Sequence, residues 1–212
     1  MSEAKEVILT RIRQALRAAP EEGEAQAPTY QTTTNAAREV IIETFAHRVQ
    51  EYRALLERVD TPGLPAAIAA ACAQHGVKRL VVPPDFPAAW LPEAVEAQRD
   101  EPPLSYADLD ASDGVLTGCH LAIAQTGTIL LNGGPRQGRR ALSLVPDLHL
   151  CVVEEAQVVG LVPEAIRQLG VATQPITFIS GPSATSDIEL NRVEGVHGPR
   201  TLHVFVVAAE RR

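Results

Sequence analysis

The chain has 212 residues, of which 45% are hydrophobic, and a formal net charge of −7. This length predicts one large domain or one domain with an appendage, and the negative charge argues against a nucleic-acid-binding protein, which usually presents a basic face. No apolar run is long enough to cross a bilayer, and the charged N-terminus lacks the apolar core of a secretory signal, so we expect a cytoplasmic protein without a membrane span.

The N-terminal region is expected to be separate from the main domain. An amphipathic helix over 3–19 is predicted by apolar residues at helical spacing, namely Val7, Ile8, Ile12 and Leu16. The segment from there to Thr34 is rich in small and polar residues and has no periodicity, as is typical of a mobile linker. Residues 1–34 are therefore predicted to form a helix with a linker, and residues 35–212 the main domain.

Two further helices are predicted at the start of the main domain. Asn35 is the expected N-cap of a long helix through about Val59, which carries apolar residues on one face. Thr61-Pro62 opens a second helix to Gln74, and Gly76 ends it.

Short apolar runs then alternate with helical patterns. The run at 79–82 follows a helix directly and has the composition of a buried parallel strand. Further strands are predicted at 115–116, 122–124, 128–131, 149–153, 176–180 and 202–207, with a weaker helix at 88–97, a helical turn at 138–144 and a helix at 163–169. This order predicts an α/β fold with a largely parallel sheet and flanking helices, with an antiparallel hairpin as a possible addition. In such sheets, ligands bind beyond the carboxyl ends of the strands.

The cysteines give no sign of a metal or cluster site. Cys72, Cys119 and Cys151 lie far apart without a CxxC spacing, which is typical of a reducing compartment and predicts neither a disulfide framework nor a zinc site. The pattern also lacks any familiar iron–sulfur spacing. We expect no metal and no cofactor in this chain, and three small buried thiols.

Two glycine-containing loops have side chains suited to an anion. Small hydroxyl residues flank a glycine in the turn Gln125, Thr126, Gly127 and Thr128, although a plain hairpin turn is the alternative. The second loop combines glycines with arginines, whose planar donors bind anions in pairs, at Arg136, Gly138, Arg139 and Arg140. It lacks the Gly-Lys-Ser/Thr ending of a P-loop and the GxGxxG pattern of a dinucleotide-binding site, and a solvated basic loop is the alternative.

A third polar segment lies between the apolar runs at 176–179 and 204–207. Its candidate ligand-binding residues are Ser180, Gly181, Ser183, Thr185, Ser186 and Arg200. Its candidate catalytic residues are Asp187 and Glu189 as general bases and His197, which titrates near neutral pH. Taken singly, each acid or histidine is better explained as a helix-capping or turn residue, but three loops of this kind favour a shared anion-binding crevice.

Several ordered segments of the chain share their pattern with one known family. They are Gly118–His120, Ala122–Thr128, Gly138–Leu142, Val145–His149, Ile179–Glu189 and Gly195–Arg200. Over about residues 35–212 the chain resembles the lactate utilization protein C family, which carries the LUD domain.

The resemblance implies a fold similar to the superfamily of ribose-5-phosphate isomerase, glucosamine-6-phosphate deaminase and CoA transferases. It also implies a role in oxidising L-lactate to pyruvate, with the iron–sulfur clusters held by a separate partner subunit. Members of the family commonly carry glutamate where this chain has Gln125, and CoA transferases place a nucleophilic glutamate in a related turn. An amide cannot form the acyl anhydride of that mechanism, so we expect no covalent CoA transfer through Gln125.

Two functions therefore remain open from the sequence. The first is a cluster-free subunit or accessory protein of lactate oxidation that binds a small anion, and we favour it because the oxidation needs a two-electron acceptor that this chain does not recognisably bind. The second is a free-standing enzyme acting on a small phosphorylated or carboxylated metabolite, with Asp187 or Glu189 as base and His197 assisting.

Overall fold

The structure, a computed structural model, describes residues 3–18, 29–170, 174–182, 184–185, 193–194 and 198–208. The chain divides into two compact units, Met1–Gln31 and Thr32–Arg212. The first unit contains helix α1, Glu3–Ala18, which confirms the predicted N-terminal helix. Its residues Val7, Ile8 and Ile12 are all exposed.

The remaining helices and strands belong to the second unit. The other helices of the described residues are α2 (Arg38–Glu51), α3 (Leu64–His75), α4 (Tyr106–Asp110) and α5 (Val162–Leu169). The strands are β1 (Leu55–Val59), β2 (Arg79–Val82), β3 (Glu96–Arg99), β4 (Gly114–Thr117), β5 (Leu121–Ile123), β6 (Thr128–Leu131), β7 (Leu148–Glu154), β8 (Val158–Val159), β9 (Thr177–Ile179), β10 (Ala184–Thr185), β11 (Val193–Glu194) and β12 (Thr201–Val207). None of the helices in the described ranges has the length and apolar character needed to span a bilayer.

A parallel sheet forms the centre of the fold. Within the described residues it has six strands in the order β1-β12-β7-β4-β2-β3, and every neighbouring pair runs parallel. Its central strands are buried on both faces, as in the apolar run Val204–Val207. The α/β fold with a large parallel sheet and flanking helices, predicted from the sequence, is confirmed.

A smaller sheet forms a second layer. Its described strands are ordered β8-β5-β6-β9, and β6 runs antiparallel to both of its neighbours, β5 and β9. Ala122, Ile129 and Leu131 of this sheet pack with Cys151, Val153 and Val204 of the large sheet and with α2. Leu121, Ile123 and Leu130 point to the opposite face and pack against Ala165 of α5, because successive residues of a strand face opposite sides.

Helix α3 covers the other face of the large sheet. Leu64, Ile68 and Cys72 of α3 pack with Leu116 and Phe205, among others. The helix ends where Gly76 takes a left-handed φ of 69° and its N–H bonds to the Cys72 and Ala73 carbonyls, a common way to close a helix. The stop predicted at Gly76 is confirmed.

The helix predicted through Val59 is wrong in its second half. Helix α2 ends at Glu51, and Arg53 has a φ of 64°, which a right-handed helix cannot contain. Leu55–Val59 is instead strand β1, paired in parallel register with His203–Val207. The expected N-cap is also wrong, because Ala37 and not Asn35 precedes the first turn of α2.

The weak helix predicted at 88–97 is wrong as well. Only Ala88–Trp90 form a single 3₁₀ turn, and Glu96–Arg99 is strand β3. Pro92 within this segment has no N–H to continue a helix. The strand pairs residue by residue with β2, and this non-local pairing decides the local structure.

Candidate functional site

A cleft lies between β9 and the amino ends of strands β7 and β12. One cavity of about 230 Å³ is bordered by residues of all three strands. A neighbouring cavity of about 330 Å³ shares Ser143 and Thr177 with the first. We call the two cavities together the β9 cleft. Its described lining residues that bear on ligand binding are Gly138, Arg139, Arg140, Ser143, His149, Thr177, Ser180, Gly181, Gly198 and Leu202.

The position of the cleft differs from the position that the sequence favoured. His149 and Leu202 are the second residues of β7 and β12, so the cleft opens at the amino ends of these parallel strands and not at their carboxyl ends. The small sheet forms the opposite wall, because its strand β9 lies at the edge of that sheet. The sequence does not reveal that these strands form a separate sheet, which packs as a second layer on the large one.

His149 is the most unusual polar residue of the cleft. It is 1% exposed, and its Nε2 lies 2.7 Å from the Thr117 hydroxyl oxygen. Its Nδ1 has no hydrogen-bond partner within the described part of the chain. Burial lowers the pKa of His149 to about 4, so the ring is neutral near pH 7. A neutral imidazole has one N–H and one bare nitrogen.

Strand alternation places His149 toward the second layer. Leu148, Leu150 and Val152 of β7 face α3, while Cys151 and Val153 face the small sheet. His149 lies between Leu148 and Leu150 and therefore shares the face of Cys151. In the sequence, His149 ends the segment Val145–His149, whose pattern the chain shares with the family, but it was not predicted as a site residue.

A chain of hydroxyl groups joins two of the predicted segments. The Thr126 and Thr128 hydroxyls lie 2.7 Å apart, and the Thr128 hydroxyl lies 2.8 Å from that of Ser180. The pairing of β6 with β9, which sets Ile129 opposite Ile179, brings these residues together. Ser180 also lines the cleft, so the hydroxyl chain runs from its wall back to the turn before β6.

Gly127 in that turn has a packing role. Its φ is 61°, and a Cβ at this position would lie 2.8 Å from the Arg48 carbonyl carbon and from the Val49 nitrogen. The glycine therefore lets the turn approach the backbone of α2. Gln125 beside it is exposed and accepts a hydrogen bond from the Val162 N–H at the start of α5.

The predicted arginines divide into paired and unpaired groups. Arg139 forms two bonds to the Asp100 carboxylate, from Nε at 2.7 Å and from an η nitrogen at 3.1 Å, and a third to the Leu104 carbonyl. The Asp100 side chain is only 4% exposed, and this carboxylate raises the pKa of Arg139. Arg140 is exposed and has no ion pair or side-chain hydrogen bond in the described residues. Among the described residues, Arg140 is thus the cleft arginine whose guanidinium has no partner.

Two other predicted arginines lie outside the cleft. Arg136 is at the carboxyl ends of β4 and β7, where it pairs with Glu154 at 2.6 Å and stacks over Trp90 at 5.3 Å. Arg200 pairs at 3.4 Å with Asp147, and both side chains are exposed. The loop that carries Arg136, Arg139 and Arg140 ends in a 3₁₀ turn of four residues, Arg140–Ser143, which is too short to supply a helix dipole.

Part of the predicted site falls outside the described residues. Ser183, Ser186 and the three candidate catalytic residues Asp187, Glu189 and His197 all do so. Thr185 is described as a backbone position of β10. The described ends of this segment, Gly181-Pro182 and Gly198-Pro199, both line the cleft.

The cleft lining also includes polar residues that were not predicted as site residues, among them Ser143, His149 and Thr177. Among the described residues, no group of three or more His, Cys, Asp and Glu side chains is arranged to hold a metal ion. The three cysteines are free and buried. Burial raises the pKa of Cys72 to about 11 and that of Cys151 to about 12.

Comparisons with known proteins converge on one family. The LUD domain profile matches residues 87–207. A lactate utilization protein C of Deinococcus radiodurans is 46% identical over 97% of this chain and 96% of its own length, and one of Geobacillus kaustophilus is 31% identical over 56% of this chain and 53% of its own. The crystal structure of a DUF162 family protein of Deinococcus radiodurans matches with a TM-score of 0.71 and 42% identity, covering 81% of this chain and 99% of that one.

Proposed function

This chain belongs to the LUD domain family, and from that membership we propose that it acts in the oxidation of L-lactate to pyruvate as a cluster-free component that binds a small anion. The relatives named lactate utilization protein C support the role in lactate utilization. The β9 cleft is the place where we expect the anion to bind.

The observation that carries the anion-binding proposal is the polarity of the cleft. Its described lining contains hydroxyl groups, the His149 ring and the uncommitted Arg140 guanidinium, and no described lining residue is acidic. In a chain with a net charge of −7, a cleft whose described lining has no acidic side chain offers an anion a locally favourable site.

The proposal assigns the electron transfer to another subunit. Converting L-lactate to pyruvate removes two electrons and two protons, so the reaction needs an electron acceptor. We propose that a partner holding iron–sulfur clusters supplies that acceptor, while this chain binds the organic acid.

Calorimetric titration of the purified chain tests the proposal. We expect L-lactate or pyruvate to bind with one site per chain, and coenzyme A not to bind. Incubation of the isolated chain with L-lactate and an artificial electron acceptor should give no pyruvate. Absence of binding by every anion would refute the anion site, and turnover by the isolated chain would refute the accessory role in favour of a free-standing enzyme.

A further inference from the structure

We propose that His149 is a ligand-binding residue whose Nδ1–H donates a hydrogen bond to an oxygen of a small monocarboxylate in the β9 cleft. The inference rests on the proposed function, since it names the ligand class for the same cleft.

The first observation is the unequal bonding of the two ring nitrogens. Nε2 lies 2.7 Å from the Thr117 oxygen, whereas Nδ1 has no partner among the described residues although the ring is 1% exposed. Buried polar atoms nearly always have a hydrogen-bond partner, because losing the bond to water without replacement is costly. The ring borders the first cavity of the cleft, so a ligand bound there can supply the missing partner.

The second observation decides which nitrogen carries the proton. Thr117 is fully buried, and its hydroxyl has two described acceptors within reach, the Nε2 of His149 and the Cys151 sulfur. Sulfur is a weak acceptor, so the hydroxyl donates to Nε2. Because the buried ring is neutral near pH 7, its single proton is then on Nδ1. His149, which lines the cleft, therefore carries a donor on Nδ1, and a ligand that pairs with it supplies an acceptor atom.

The third observation is the charge of the cleft. Arg139 is bound by the Asp100 carboxylate, which leaves Arg140 as the cleft arginine without an ion pair in the described part of the chain. One free guanidinium balances one negative charge, whereas a phosphate group carries about two at neutral pH. His149 lines the cavity of about 230 Å³ and Arg140 lines the neighbouring cavity of about 330 Å³, so each is below or near the lower end of the roughly 300–1,000 Å³ typical of pockets for drug-sized ligands. These features together favour a small monocarboxylate over a phosphorylated compound.

The double variant Thr117→Val/His149→Phe tests the role of His149. It removes both partners of the buried hydrogen bond together and keeps similar side-chain shapes, a change that is often neutral for stability. We expect it to unfold at the same temperature as the wild type or higher, and to bind L-lactate or pyruvate about 10- to 100-fold more weakly, the loss expected for one hydrogen bond to a charged group. Arg48→Ala, which removes an exposed arginine of α2 outside the cleft, is the matched control and should bind like the wild type.

The tautomer provides an independent readout. Long-range ¹H–¹⁵N spectra of the full chain should show Nδ1 of His149 protonated and Nε2 bare at neutral pH, and the Nδ1 proton should shift when L-lactate or pyruvate is added. A proton on Nε2 would overturn the assignment of His149 as a donor.

Titration of the wild type with L-lactate, pyruvate and inorganic phosphate separates this inference from the proposed function. If a monocarboxylate binds but the double variant binds it equally well, His149 is not a ligand-binding residue, while the anion site itself stands. If phosphate binds more tightly than either monocarboxylate, the ligand class is wrong. If none of the three binds, the anion site of the proposed function fails together with this inference.

Discussion

Burial of His149 should make the stability of the protein depend on pH in a way that a variant can isolate. Its pKa is about 4 in the folded chain against 6.5 for an unperturbed histidine. At a pH between these two pKa values, the histidine is protonated in the unfolded chain but not in the folded chain. The free energy of unfolding therefore falls as the pH is lowered from about 6.5 to about 4. Below the folded pKa the loss is complete, and above 6.5 it is absent.

The expected size follows from that difference in pKa. A difference of 2.5 between 6.5 and about 4 corresponds to about 3 kcal/mol in total, at about 1.4 kcal/mol for each pKa unit. Between about pH 7 and about pH 5 the loss from this one residue is about 2 kcal/mol. A loss of this size is a large fraction of the stability of a typical domain.

Urea unfolding of the wild type and of Thr117→Val/His149→Phe at about pH 7 and about pH 5 measures the effect. His203, whose pKa is also lowered by burial, contributes to the pH dependence of both proteins and cancels in the comparison. We expect the double variant to lose about 2 kcal/mol less than the wild type over this interval. Equal losses in the two proteins would show that His149 is not buried in its neutral form and would refute the reasoning.

Three further predictions concern the rest of the fold. Gly127→Ala should lower the free energy of unfolding by more than about 2 kcal/mol, because the added Cβ would lie 2.8 Å from the backbone of α2. Gly76→Ala, where φ is +69° and no atom lies within 4 Å of the added Cβ, should lower it by only about 1 kcal/mol. Equal losses of the two variants in thermal unfolding would contradict the packing role of Gly127. Arg139→Ala should lower the free energy of unfolding by about 2–4 kcal/mol, because it leaves the buried Asp100 carboxylate without its partner. Arg140→Ala should change the free energy of unfolding by less than about 0.5 kcal/mol. If both variants match the wild type in denaturant unfolding, the Arg139–Asp100 pair does not stabilise the fold. All three thiols should resist a thiol reagent near neutral pH until denaturant is added, since burial raises their pKa values; fast labelling of the native protein would place at least one at the surface.

The large sheet could be predicted because its central strands are buried on both faces. Continuous apolar runs such as Leu80–Val82 and Val204–Val207 have no polar face, and this composition is typical of parallel strands under helices. Strand β1 has a different pattern, with Glu57 and Arg58 exposed. Its apolar positions also fit a helix, and only the pairing with β12 at the far end of the chain makes it a strand.

The candidate site was harder to predict, because its residues meet only through tertiary structure. The hydroxyls of Thr128 and Ser180 were predicted as ligand-binding residues of separate loops, and the pairing of β6 with β9 brings them within 2.8 Å. The sequence does not reveal that the Asp100 carboxylate pairs with Arg139, while Arg140 has no ion pair within the described ranges. His149 was predicted only as a strand residue, and the lack of a described partner for its Nδ1 becomes visible only once its neighbours are placed.

Growth on L-lactate as the sole carbon source tests the central claim most directly. A strain lacking this gene should fail to grow on L-lactate and should grow normally on glucose. Genes for the wild type and for Arg48→Ala should restore growth on L-lactate, and the gene for Thr117→Val/His149→Phe, expressed to the same level, should not. Normal growth of the deletion strain on L-lactate, or full restoration by the double variant, would contradict the account.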